Sequence, residues 1–154
     1  MKQTAGFIIM ILLGLVFVNA GFSQERVVNH CLSFVGKVVP GGFSRMNRTT
    51  YSGFITDDHG DEHQVQLLVS NDIVYAAVYG AIAAYTHEVR EWLSQFYNYF
   101  ENNNWFFSDE ELYQEGDAYF KDDDYVMIPK TIKREDGMIA AMVFFSKIEY
   151  REMF

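Results

Sequence analysis

The sequence predicts an α+β domain: a largely antiparallel sheet of about six to eight strands with one main amphipathic helix packed on it. Three observations predict it. One stretch, roughly residues 86–101, repeats its apolar residues at helical spacing. Most of the remainder breaks into strand-length runs rich in β-branched and aromatic residues, separated by turn signals. No Pro/Ser/Gly-rich linker, internal repeat or low-complexity block follows Ala20, so residues 21–154 are expected to form one domain.

Residues 1–20, MKQTAGFIIMILLGLVFVNA, read as a secretory signal peptide. Lys2 supplies the positive charge, and the apolar run from Ala5 to Val18 falls short of the roughly 20 residues that span a bilayer. Val18 and Ala20 occupy the −3 and −1 positions of a cut after Ala20. Cys31 lies too far along to be a lipid-anchored first residue. The mature chain is therefore expected in the periplasm or outside the cell, with no membrane insertion after cleavage.

The elements follow in order. CLSFVGKVV (Cys31 to Val39) alternates loosely and reads as a strand stopped by Pro40-Gly41-Gly42. TTYSGFIT (Thr49 to Thr56) and HQVQLLVS (His63 to Ser70) are strands flanking an acidic hairpin tip. After Ser70-Asn71-Asp72, IVYAAVY (Ile73 to Tyr79) is a fourth strand. Thr86 is placed to cap the helix, with Glu88 in the first turn. Val89, Trp92, Leu93, Phe96 and Phe100 form its apolar face, and Asn102-Asn103-Asn104 ends it. WFFS (Trp105 to Ser108) is a short strand, and SDEELYQEGD is a loop. DAYFK, DYVMIPKTIK and GMIAAMVFFSKI then make a meander. Met138 to Phe145 is apolar throughout, which suits a central strand covered on both faces. Pro129 cannot donate a ladder hydrogen bond and places its strand at an edge or bulge.

The chain has 21 carboxylates against 12 Lys and Arg, a formal net charge of −9, and cleavage would remove only Lys2 among the charged residues. Nucleic-acid binding needs clustered basic residues, and there is no basic stripe, so nucleic acid is excluded as a partner. A basic partner is favoured instead. Cys31 is the only cysteine, so no intramolecular disulfide can form; it reads as a small buried hydrophobe.

TDDHGDEHQ (Thr56 to Gln64) is the densest cluster of potential chemistry. A zinc site there would use His59 and His63 with a carboxylate such as Asp61 or Asp57. Gly60 and the flanking strands argue instead for a solvated hairpin tip, with His63 entering a strand. His87-Glu88-Val89-Arg90-Glu91 resembles a zinc-protease helix lacking its second histidine, and His87 is the last histidine in the chain. It reads better as the start of the helix. His30 and Cys31 are adjacent on an expected strand and so point apart. There is no nucleophile elbow, no S-x-x-K and no phosphate loop. No cofactor is expected.

Of the 10 Tyr, 14 Phe and 2 Trp, only Phe7 and Phe17 fall in the leader. Tyr97, Tyr99, Tyr113, Tyr119 and Tyr125 are hard to bury together and are candidates for a recognition surface. The acidic stretch Asp109 to Asp124, opposed only by Lys121, could steer a basic partner but reads first as a solvated face. The leading expectation is a small exported non-enzymatic protein that binds a basic macromolecule. The alternative is a metal-binding protein or metal-dependent hydrolase using His59, His63 or His87, with Asp61.

Overall fold

The computed structural model describes residues 24–57, 59–103, 105–108, 118–122 and 124–153. Its elements run α1 (Gln24–Phe34), β1 (Ser44–Arg45), β2 (Thr50–Thr56), β3 (Glu62–Ser70), β4 (Ile73–Ala83), α2 (Thr86–Asn102), β5 (Phe106–Ser108), β6 (Ala118–Lys121), β7 (Tyr125–Lys133) and β8 (Ile139–Lys147). A 3-10 turn, Ile148–Met153, follows. The strands form one eight-stranded sheet in the order β1-β2-β3-β4-β8-β7-β6-β5. Every neighbouring pair is antiparallel. The α+β architecture with its principal helix is thus as expected. Residues 1–20, read as the leader, lie outside the described residues, as do Asp58, Tyr113 and Asp109 to Asp117 of the acidic stretch. Among the described residues no helix is long and apolar enough to cross a membrane.

The expected strand at Cys31 to Val39 is corrected. Residues 24–34 are helical, and of the remainder only Val38 makes an isolated bridge, to Ile73. Taken from Gln24 rather than Cys31, the sequence shows the reason. Val27, Val28, Cys31 and Val35 recur at spacings of three and four, and all four are buried. Gly36 then stops the helix at φ 84°, a left-handed conformation that costs a residue with a Cβ. Its amide donates to the Val74 carbonyl at 2.8 Å, tying the turn to β4.

The hairpins follow from their turns. Asn71 and Asp72 both have positive φ, 51° and 63°, the pattern that lets a two-residue turn match strand twist. Beside it a register shift between Leu68 and Val69 bulges β3. The cap of helix α2 lies one residue earlier than expected. Tyr85 occupies the cap position in extended conformation, Thr86 is the first helical residue, and the Glu88 carboxylate accepts the Tyr85 amide at 3.1 Å. All five residues of the expected apolar face of α2 are buried.

β8 lies between β4 and β7, and Ala140 through Ser146 are buried. Its alternate side chains enter two clusters, one on each face. The first contains Val27, Val28 and Cys31 of α1, the apolar face of α2, and Leu67, Tyr79, Val143 and Phe145 beneath them. The second comes from strands alone, including Val78, Val126, Ile128, Met142 and Phe144, with Ile148 and Tyr150 of the C-terminal turn packed against it. Pro129 pairs with Val143 in an inner strand, but the described ladder of β6 ends at Met127. Pro129 therefore sits where β7 is locally an edge, and its missing N–H costs no described ladder bond.

Candidate functional site

The hairpin tip between β2 and β3 holds a polar chain that runs from the surface toward the core. Asp57 follows β2 directly, and its amide donates to the Asp61 carbonyl at 2.9 Å. Asp57 Oδ1 accepts the amides of His59 at 2.8 Å and Asp61 at 3.0 Å, so the side chain organises the turn that carries it. Asp57 Oδ2 lies 2.7 Å from His63 Nε2, and His63 Nδ1 lies 2.9 Å from the Tyr79 hydroxyl. The guanidinium of Arg26, on α1, donates to the Asp57 carbonyl at 3.4 Å.

Register explains the convergence. Ile55 pairs with His63, and Val65 pairs with Tyr79, so all four side chains share the helix-covered face. The Tyr79 ring lies 5.6 Å from those of His63 and Trp92 and 5.9 Å from Phe96. An ionised carboxylate can only accept, so His63 Nε2 is the donor to Asp57 Oδ2. When the ring is neutral, Nδ1 is then left to accept from Tyr79 O–H.

Electrostatics support that assignment. Burial alone raises the Asp57 carboxyl, but the His63 bond, the amides of Asp61 and His59 and the electrostatic attraction of the His63 ring together hold it below its ordinary value. Tyr79 is pushed up, by burial first and then by electrostatic interaction with Cys31 and Asp57, so its phenol keeps its proton. Burial likewise pushes the Cys31 thiol up, which disfavours a nucleophilic thiolate. The premise that His30 and Cys31 lie on a strand falls with α1. On the helix His30 is half-buried and Cys31 fully buried.

The expectation of a wholly solvated tip is corrected at one residue. His59, Asp61 and Glu62 are exposed, but Asp57 is 4% exposed because its oxygens are drawn inward to the turn amides and His63. Of His59, Asp61, His63 and His87, only His63 joins the buried chain. His87 stands exposed on α2, its ring stacked on Tyr85 at 5.7 Å. Among the described residues no three His, Cys, Asp or Glu are grouped to hold a metal ion. Both nitrogens of His63 are engaged within the protein, so a metal there would have to displace Asp57 or Tyr79.

Of the five tyrosines singled out, Tyr97 and Tyr119 come together in a stack at 5.7 Å. Tyr119 is buried in the core, while Tyr97, Tyr99 and Tyr125 are half-buried against it. Tyr99 meets Phe100 edge-on at 5.5 Å, and Lys147 Nζ stands 5.7 Å from the Tyr125 ring. The residue that sequence reasoning missed is Tyr79, whose partnership with His63 depends on the registers of two hairpins. Comparison with protein-family models, curated proteins and solved structures finds no match.

Proposed function

We propose that this chain is a small exported protein that acts without catalysis, by binding a basic macromolecular partner in the periplasm or outside the cell. The observation that carries the reading is charge: 21 carboxylates stand against 12 basic side chains in a chain with an N-terminal leader pattern. The closed Asp57–His63–Tyr79 chain supports the non-catalytic part. The histidine that would serve as a base has both nitrogens engaged, and the phenol that would serve as an acid holds its proton more tightly than usual. The cluster acts as a tie between the hairpin tip and β4.

The test is retention of proteins from the native envelope fraction and culture fluid on the immobilised mature chain, at low and at high salt. A specific basic protein, held at low salt and released by high salt, is the expected result. Nothing specific at low salt removes the proposal's main support.

A further inference from the structure

Among the described residues, the outer edge of strand β2 is uncovered beyond β1. Its partner on that side, β1, pairs only with Tyr51 and Ser52. The Thr49 carbonyl accepts from Val69 on the β3 side, whereas the Thr50 carbonyl accepts from Met46 on the β1 side. Backbone groups alternate along an antiparallel strand, so Ser52, Phe54 and Thr56 direct theirs outward. Beyond Ser52, no described residue bonds the outward N–H and C=O of Phe54 and Thr56.

The usual protections of an edge are missing here. The segment Gly53–Thr56 carries no charge, no proline and no bulge. Phe54 is 63% exposed, giving apolar area beside the open groups. Gly53 fits this strand only because it lacks a side chain: an added Cβ would lie 2.7 Å from the Phe43 ring, which covers the helix-side face at that point.

We propose that the edge from Phe54 to Thr56 is the docking strand of this protein, extended by a strand from a partner's basic, extended segment. This rests on the proposed function and names where the partner binds. Main-chain hydrogen bonds from Phe54 and Thr56 hold the segment, and Phe54 supplies apolar contact. Charge selects the occupant. The edge leads into the tip, where Asp61 and Glu62 are exposed, while Arg26 there is drawn to the Asp57 carbonyl. Edge-to-edge pairing of two copies would instead bring together two chains of net charge −9.

The test uses three fluorescent peptides: an extended peptide alternating Lys and Thr, its Glu-for-Lys counterpart, and the Lys peptide N-methylated at alternate amides. The protein is used as parent and as Phe54→Pro, a change that removes an outward N–H and the exposed ring but no bond to β3. Anisotropy is expected to show saturable binding of the Lys peptide to the parent and none of the Glu peptide. N-methylation and Phe54→Pro should each weaken binding about tenfold or more. Should Phe54→Pro not fold, N-methylation still tests the backbone bonds on unaltered protein.

No binding of the Lys peptide, or binding indifferent to N-methylation, overturns the proposal. So does a concentration-dependent dimer of the parent that Phe54→Pro abolishes, since the occupant is then a second copy. If Phe54→Pro folds and still retains the native basic partner as the parent does, the edge is wrong while the proposed function stands.

Discussion

Strand β2 has a closed side and an open side. Where it leaves the sheet beneath the helices, Asp57 is buried, and each of its carboxylate oxygens accepts a hydrogen bond. Along its outer edge, three residues earlier, the backbone groups of Phe54 meet no described partner. The difference is one of solvent. A polar group removed from water costs free energy unless it is paired, whereas an edge group in water is already hydrogen-bonded. The closed side therefore holds the fold, and the open side, among the described residues, adds nothing to it. Substitutions on the closed side should damage stability, and those on the open side or the tip should not.

The largest effect belongs to the helix that seals the closed side. Trp92 is 7% exposed, with its ring 4.7 Å from Phe96. Trp92→Ala should cost roughly 3–5 kcal/mol. An unchanged urea midpoint would show that α2 does not seal this face.

Next comes Asp57→Ala, which leaves two turn amides and His63 without their acceptor. Deleting hydrogen bonds to a charged group places the loss at about 2–3 kcal/mol. The effect has a pH signature. Because the folded carboxyl titrates below its ordinary value of 3.8, its stabilisation is present in full above that value and is lost as pH falls through the lower, folded value. Parent and variant should thus differ most near neutral pH and converge under acid below 3.8. Denaturant unfolding across that window checks it, and a gap that persists in acid would mean the carboxylate's charge is not what stabilises the turn.

Tyr79→Phe keeps the ring among Trp92 and Phe96 but removes the donor to His63. A loss of about 1 kcal/mol is expected, since His63 is partly exposed and water can replace the phenol. A loss as large as that for Asp57→Ala would place the anchor at Tyr79 rather than in the turn.

The smallest effect is expected at the exposed tip. His59→Ser, Asp61→Asn and Glu62→Gln together, with Gly60 kept, should change stability by no more than a few tenths of a kcal/mol per site. Melting with and without chelator gives the contrast. A chelator-sensitive parent beside a less stable, chelator-insensitive variant would show that the tip holds a metal.

Local periodicity was enough to read the apolar face of α2 residue by residue, the four strands of the C-terminal half and the turn at Asn71-Asp72. Each is a pattern within one short window, where side-chain spacing and backbone preference act together. It also exposed the histidine at the tip, but not the state of that histidine. The same kind of pattern failed at α1, because a window opened at Cys31 omitted Val27 and Val28, the residues that reveal helical spacing.

The sequence by itself determined which segments are apolar on which face, that the chain is acidic, and that no disulfide helps to hold it. Only the tertiary structure decided that Asp57 is buried while Asp61, four residues on, is exposed. Only it brought Tyr79 against His63 and left β2 without a described partner strand on its outer side beyond Ser52. Those outcomes depend on pairing register between separate strands. A shift of one residue would send His63 to the opposite face of the sheet, away from Tyr79, and no local pattern of side chains reports that register.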